Sequence, residues 1–102
     1  MRSSEGASLS KPRVQWDEDK ADENQRKHAV GFFEAVDVLQ DPLAATIEDR
    51  LHSTPRERRV TVIGVSRRGR LLRVTVTQRG SIIRIISARR ATARERHDYE
   101  EG

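Results

Sequence analysis

Three stretches rich in β-branched and aliphatic residues follow one another in the second half of the chain, separated only by short turns. They cover residues 59–66, 70–78 and 81–88, and the turns between them contain Gly69 and Gly80. Connections this short join only antiparallel neighbours, because a parallel crossover takes a dozen or more residues. The sequence therefore predicts a β-meander, which narrows the possible folds more than any other feature does.

Two helices are predicted ahead of the meander. Asp17 is a good N-cap for a helix that runs to about His28. Glu34 stands at the third position of a second helix, where it supplies half of a capping box. Apolar residues in this second helix recur at three- and four-residue spacing, which is typical of a core-facing helix, until Asp41 and Pro42 end it.

The remaining elements complete an α+β prediction. A first strand is expected over residues 43–48, and Thr92 with Glu95 forms a full capping box for a short last helix. The predicted fold is two N-terminal helices and a short C-terminal helix, packed on one face of a four-stranded antiparallel sheet. Residues 1–13 are expected to be a disordered tail, and residues 14–102 one domain.

Alternation along the strands predicts one apolar sheet face and one mixed face that carries arginines. In the last strand, Arg84 and Ile86 are assigned to one face, and Ile85 and Ser87 to the opposite face. Functional side chains are expected on the mixed face.

The charge is unevenly divided along the chain. Residues 51–102 hold thirteen arginines, no lysine and five acidic residues, whereas residues 1–50 hold seven basic and eleven acidic residues. The planar guanidinium group of arginine can donate two parallel hydrogen bonds to the oxygens of a phosphate or a carboxylate. This composition indicates an anionic partner, with RNA first and an acidic protein second. A solvated arginine-rich surface is the alternative that composition leaves open.

Other functional classes find no support in the sequence. The chain has no cysteine for a disulfide or thiolate site, and its three histidines lack metal-ligand spacing. The first ten residues lack the apolar segment of a signal peptide, and no apolar run is long enough to span a membrane. No Gly-rich phosphate loop is present. We therefore predict no metal and no cofactor.

Several short motifs occur in a characteristic order and spacing. They read Trp16-Asp17-x-x-Lys20-x-x-x-Asn24-x-x-Lys27-His28, Val30-x-Phe32-x-Glu34-Ala35, Asp41-Pro42, Glu57-x-Arg59, Ile63-Gly64, Gly69-Arg70-Leu71-Leu72 and Arg84-Ile85-Ile86-Ser87-Ala88-Arg89-x-Ala91-Thr92-x-x-Glu95-x-x-x-Tyr99. Together, over roughly residues 14–100, they resemble the BrnT family of bacterial toxins. No single motif would suffice for this resemblance.

The resemblance implies a RelE-like fold and a cytoplasmic endoribonuclease that needs no metal. It also implies one half of a type II toxin–antitoxin pair that inhibits translation and growth. The implied partner is a BrnA antitoxin, which neutralises the toxin by direct binding and carries the DNA-binding domain. Operator DNA is thus expected only through the antitoxin. The chain departs from the family pattern at Ala29 and Gly31, where the family usually has Gly and Ser.

Metal-free RNA cleavage needs a base for the 2′-hydroxyl, a cation for the phosphate and an acid for the leaving 5′-oxygen. Arg59 and Arg84, both in matched motifs, are the predicted phosphate clamp. His28 is the predicted acid–base group, since its side chain titrates near neutrality. Glu57 is a second candidate base. Their alternatives are surface arginines, a histidine that caps a helix end, and a glutamate paired with arginine.

A second group of residues is predicted to bind RNA rather than to cleave it: Lys20, Lys27, Arg89 and Tyr99. Solvated lysines are an equal alternative for the first two. Arg89 is also compatible with a structural role at the end of the sheet, and Tyr99 with packing of the last helix. His52 and His97 receive no role.

Two alternatives to a toxin ribonuclease stay open at this point. One is a catalytically inert protein that binds the antitoxin, and the other is a DNA-binding co-repressor subunit. The second is disfavoured because the predicted helical hairpin is the acidic part of the chain, which does not suit a recognition helix.

Overall fold

The computed structural model describes residues 13–101, and these form an α+β fold. The elements in chain order are β1 (Arg13–Gln15), α1 (Glu18–His28), α2 (Phe32–Leu39), β2 (Ala45–Glu48), β3 (Arg58–Val65), β4 (Leu71–Arg79), β5 (Ile82–Arg90) and α3 (Ala93–Glu101). The strand order in the sheet is β1-β5-β4-β3-β2, with β1 parallel to β5 and every other pair antiparallel. The predicted meander is confirmed.

The predicted four-stranded antiparallel sheet is wrong in one respect, because β1 adds a fifth, parallel strand. The amide of Arg13 donates to Ser81 O at 2.8 Å, and Gln15 pairs with Arg84. Three residues are too few to show a strand period in the sequence. Of the predicted disordered tail, residues 1–12 lie outside the described residues, whereas Arg13 belongs to β1.

The strand predicted over 43–48 begins later, at Ala45. The reason is a turn built on Asp41, whose side chain accepts the amide of Leu43 at 2.9 Å. The amide of Ala44 also donates to the backbone oxygen of Asp41, at 3.0 Å. Both amides are therefore used within the turn and are not available to a sheet partner.

Helix α1 begins as predicted and ends under strain. The Asp17 carboxylate accepts the amides of Asp19 at 2.8 Å and of Lys20 at 3.4 Å, as an N-cap does. At the other end, Ala29 lies in the left-handed region, with φ 56° and ψ 35°. A side chain crowds the backbone there, so glycine is the residue that normally closes a helix in this way.

Ala29→Gly is expected to stabilise the protein by about 1 kcal/mol, because it removes the left-handed penalty at a helix end. The measurement is the free energy of unfolding in urea. Ala21→Gly within α1 is the control, and it is expected to destabilise by about 1 kcal/mol through lower helix propensity. A loss of stability in Ala29→Gly would contradict the strain argument.

Glu34 does not complete the predicted capping box, because its carboxylate turns towards the β3–β4 turn. It accepts the Ser66 hydroxyl at 2.7 Å and Arg70 Nε at 2.9 Å, and its second oxygen contacts Arg70 Nη2. The hydrogen bond from Arg70 lowers the pKa of Glu34 to about 2, against the effect of burial. Arg70 also donates to Ala29 O at 3.2 Å. The ion pair between the buried Glu34 and the partly buried Arg70 thus fastens both N-terminal helices to the hairpin.

The main core lies between the sheet and the two N-terminal helices. Its members are Val30, Phe32, Ala35, Val38, Val60, Val62, Leu72, Val74, Val76, Ile85 and Ala88. Trp16 packs edge-on against Phe32 and Phe33, with ring centroids 6.1 and 5.0 Å apart. Because the core is small and has few aromatic residues, the stability of the fold also depends on polar interactions such as the ion pair between Glu34 and Arg70.

Asn24 is buried and completes the sheet edge where β1 has ended. Its side-chain amide donates to Ala88 O at 2.8 Å and to Val30 O at 2.9 Å. Its side-chain oxygen accepts the Ala88 amide at 3.1 Å. One side chain thereby replaces the partner strand that β5 lacks at this point, which explains an asparagine in the middle of a helix.

A β-bulge in β5 changes the predicted faces. Thr75 pairs with Ser87 but Val76 pairs with Ile85, so Ile86 is the extra residue. The assignment of Ser87 to the face of Ile85 is therefore wrong. Beyond the bulge, Ser87 joins the face that carries Arg84, because an inserted residue reverses the alternation.

The helices do not all cover one face, contrary to the prediction. Helix α3 lies against the mixed face, where the Glu95 carboxylate binds Arg73 and Arg89. Ile63 and Leu71 are buried on this same face and outside the main core. The predicted capping box of α3 is confirmed, with Glu95 N to Thr92 Oγ1 at 3.2 Å and Thr92 N to Glu95 Oε1 at 2.9 Å.

Candidate active site

A row of polar side chains crosses the mixed face at the end that α3 leaves open. Gln15 pairs with Arg84, Arg84 with Thr77, and Thr77 with Arg59, so four strands contribute one residue each. We call these four residues the arginine row. Adjacent strands are about 4.8 Å apart, which places the Cα atoms of Arg59 and Arg84 about 10 Å apart. Two long guanidinium side chains can reach one phosphodiester from these positions.

Arg84 is the free cation of the row. Its side chain is exposed, and it forms no ion pair with any carboxylate of residues 13–101. Nine of the other arginines after residue 50 lie within 4.0 Å of a carboxylate oxygen. Most of the arginine-rich half is thus engaged in ion pairs, and Arg84 has its donors available to a ligand.

A cavity of about 250 Å³ lies beside the row. Its lining residues are Gln15, Glu57, Thr77, Arg79, Ile82 and Arg84. The structure therefore brings together two of the predicted catalytic residues, Glu57 and Arg84. It adds Arg79, which the sequence analysis missed and which lies 4.0 Å from Glu57. Its place on the strand, two residues from Thr77, would have indicated the same face once the register was known.

The backbone of Arg59 is hydrogen-bonded to the turn that follows β2. Its amide donates to Ser53 Oγ at 2.8 Å, and its carbonyl accepts the Asp49 amide at 2.7 Å. Its Nε lies 3.8 Å from Asp49 Oδ2. The side chain of Arg59 is 37% exposed, so a ligand can reach it, although it does not line the cavity beside Arg84.

The predicted acid–base histidine lies in a different cavity. A space of about 110 Å³ is lined by Lys20, Glu23, Asn24, Lys27, His28, Ile86 and Ser87, at the edge of β5 beyond the end of β1. The structure brings His28 together with Lys20 and Lys27, two of the predicted RNA-binding residues. It does not bring His28 into the cavity of Glu57 and Arg84. These roles stay predictions.

Arg89 and Tyr99, also predicted to bind RNA, have partners within the protein. Arg89 donates to both oxygens of Glu95, at 2.9 and 2.8 Å. Burial alone would raise the pKa of Glu95, but the hydrogen bonds from Arg89 and from the Thr92 amide lower it. We assign Arg89 to the attachment of α3, and its contact with RNA stays a prediction.

Tyr99 attaches the other end of α3. Its hydroxyl donates to Asp41 Oδ2 at 2.9 Å, and burial and this carboxylate raise the pKa of Tyr99. The same oxygen accepts the Val65 amide at 2.8 Å. A Cβ at Gly64 would lie 3.0 Å from it, so glycine permits this close approach. An RNA contact of Tyr99 likewise stays a prediction.

Neither metal-ligand clusters nor membrane helices are found in the described part of the chain. No group of three or more His, Asp or Glu side chains among residues 13–101 is arranged to hold a metal ion. No helix within the same residues has the length and apolar character needed to cross a membrane.

Comparison with known proteins agrees with the fold. A family described as "Ribonuclease toxin, BrnT, of type II toxin-antitoxin system" matches residues 16–95. A search of the curated proteins by sequence gave no match. Among solved structures, the chain is similar to the crystal structure of the Brucella abortus ribonuclease toxin BrnT. The TM-score is 0.59 at 23% sequence identity, over 79% of this chain and 97% of that one.

Proposed function

Because the chain belongs to the BrnT family of type II toxin–antitoxin ribonuclease toxins, we propose that it is an endoribonuclease that cleaves RNA without a metal by attack of the ribose 2′-hydroxyl. Cleavage of cytoplasmic RNA inhibits translation and growth. The observation that carries the proposal is the arginine row. Its Arg84 has no carboxylate partner among residues 13–101 and lies beside a cavity that Glu57 also lines.

The proposed roles follow from charge and position. Arg59 and Arg84 bind the scissile phosphate and stabilise the negative charge that builds up on it in the transition state. Glu57 is positioned to exchange a proton within the same cavity. Lys20, Lys27 and His28 line the cavity further along β5 and contact the RNA beyond the cleaved bond. This arrangement lets an extended strand cross the open end of the mixed face.

The proposed partner is a BrnA-like antitoxin that neutralises the toxin by binding to it. We expect acidic side chains of the antitoxin to cover the arginine row, since these cations are open to a protein carboxylate as much as to a phosphate. Contact with operator DNA then comes only through the antitoxin, because the exposed α1 begins with acidic residues.

Expression with and without the neighbouring antitoxin gene tests the proposal, with RNA 5′ ends mapped in both cultures. New RNA ends and growth arrest are expected only without the antitoxin. An unchanged RNA population with a stable toxin–antitoxin complex would instead identify an inert antitoxin-binding protein. Direct binding of the isolated chain to operator DNA would identify a co-repressor subunit.

RNA binding is expected to weaken about tenfold between 50 and 200 mM salt, because two or three phosphate contacts release their counterions. The measurement is the Kd of a single-stranded RNA across this range. Arg84→Ala is expected to reduce the slope of log Kd against log salt by about 0.7, the value for one lost contact. A Kd that does not change with salt would contradict phosphate binding by the row.

A further inference from the structure

Asp49 and His52 form a side-chain pair at the β2 end of the arginine row. His52 Nδ1 lies 2.7 Å from Asp49 Oδ2. The Asp49 amide donates to Arg59 O at 2.7 Å, which continues the β2–β3 ladder by one residue, because Glu48 already pairs with Val60. Asp49 therefore stands next to Arg59 in the same row.

The turn after β2 fixes the position of this histidine. Asp49 Oδ1 accepts the amides of Leu51 at 3.2 Å and of His52 at 3.3 Å. The Ser53 hydroxyl donates to Asp49 O at 2.7 Å and accepts the Arg59 amide at 2.8 Å. The backbone on both sides of His52 is thus tied to β3, and the imidazole is held near the guanidinium of Arg59.

The hydrogen bond decides which ring nitrogen of His52 is free. Contact with His52 lowers the pKa of the Asp49 carboxyl, so this group is an ionised carboxylate at neutral pH and only accepts hydrogen bonds. The proton of a neutral imidazole must then lie on Nδ1. The lone pair is left on Nε2, and the side chain is 62% exposed, so a substrate can reach it.

We propose that His52, in place of Glu57 or His28, is the general base of RNA cleavage and that Asp49 orients it, an inference that rests on the proposed ribonuclease function. His52 Nε2 takes the proton of the ribose 2′-hydroxyl, and the 2′-oxygen forms a bond to phosphorus. The bond from phosphorus to the 5′-oxygen breaks, and water protonates this oxygen. The products are a 2′,3′-cyclic phosphate and a 5′-hydroxyl, and His52 returns its proton to water.

The position of His52 next to Arg59 supports a catalytic role for this histidine over a purely structural role in the turn after β2. Oδ2 of Asp49 lies 3.8 Å from Arg59 Nε, so one carboxylate oxygen faces both the base and the predicted phosphate clamp. A phosphate held by Arg59 brings its ribose to the end of the row where His52 stands. A histidine that only completes the turn needs no exposed imidazole and no neighbouring arginine of the predicted phosphate clamp.

Replacement of each histidine in turn tests the proposal on the full chain. His52→Ala is expected to lower kcat for RNA cleavage about 100-fold with little change in KM or Tm, the usual scale for loss of a general base. Added imidazole is expected to restore part of the rate. His97→Ala, in exposed α3, is the matched control and is expected to cleave at the wild-type rate with no response to imidazole.

Asp49→Asn tests the orienting role separately. The asparagine oxygen can still accept the turn amides, but its NH2 group donates to Nδ1 and moves the imidazole proton to Nε2. Lower kcat with unchanged KM and Tm is expected. A variant as active as the wild type would overturn the role of Asp49.

Three results would overturn the role of His52. The first is wild-type cleavage by His52→Ala. The second is a loss of cleavage in His52→Ala that imidazole does not restore and that accompanies a fall in Tm. The third is a loss of cleavage in His28→Ala that imidazole does restore, which would make His28 the base. A wild-type chain that cleaves no RNA overturns the proposed function itself, and the inference with it.

Discussion

Arg84→Ala is expected to lower the rate of RNA cleavage about 100- to 1,000-fold, the scale seen when one preorganised donor to a developing oxyanion is removed. Arg84 is exposed, and it forms no ion pair among residues 13–101. Its removal therefore leaves no buried charge without a partner. The free energy of unfolding is expected to change by no more than about 0.5 kcal/mol.

The measurement pairs a cleavage assay on single-stranded RNA with growth after induction of the variant. Arg90→Ala is the matched control, since Arg90 is an exposed arginine of the same strand and pairs with Leu72 on the core-facing side of the sheet. We expect this control to stay toxic. Full toxicity of Arg84→Ala would remove Arg84 from the site and would leave the arginine row without its proposed function.

The second large effect concerns stability. Glu34→Gln is expected to destabilise the protein by about 3 kcal/mol at neutral pH, because it leaves the partly buried guanidinium of Arg70 without the counter-ion that it has in the wild type. The Glu34 side chain is 7% exposed and that of Arg70 is 18% exposed. A domain with so small a core has little stability in reserve, so a large fraction of the variant is expected to be unfolded at growth temperature.

The pH dependence of this effect has a definite sign. The pKa of Glu34 falls from 4.5 to about 2 in the folded state, so the folded state holds the proton less tightly than the unfolded state does. The ion pair therefore stabilises the fold fully above pH 4.5, and this contribution is lost as the pH falls towards 2. The difference between wild type and Glu34→Gln is expected to shrink over that range.

Urea unfolding at several pH values measures this difference. Glu100→Gln is the control, because Glu100 forms an exposed pair with Arg96 at 3.9 Å and no other ion pair among residues 13–101. Such pairs contribute about 0–1 kcal/mol, so the control is expected to resemble the wild type. Equal stability of Glu34→Gln and wild type at neutral pH would show that the ion pair does not hold the helices to the hairpin.

Local patterns predicted the parts of the fold that depend on neighbours in sequence. The N-cap at Asp17 and the capping box of Thr92 and Glu95 are both found. Glycine-containing turns correctly predicted the antiparallel meander. Interactions within a few residues carry these features, so a single sequence contains the necessary information.

Features that depend on distant segments were missed or wrongly assigned. The pairing of β1 with β5 joins residues almost seventy positions apart, and three residues show no period of their own. The bulge at Ile86 reverses the faces of β5 beyond it. The side of the sheet that α3 covers depends on a charge contact between Glu95 and Arg73. None of these contacts has a local signature.

The residues of the candidate site likewise fall into those that the sequence predicted and those that only the folded chain brings together. Arginine enrichment and motif spacing pointed to Arg59, Arg84 and Glu57, whereas the Asp49–His52 pair was overlooked because nothing in a polar loop shows where it will fold back. The sequence by itself determined the capped helix ends, the three strands of the meander and the charge available to bind an anion. Only the tertiary structure decided which arginines are neutralised and which share a row, because strand register and ion pairing are set by hydrogen bonds and charges that meet only after the sheet has formed.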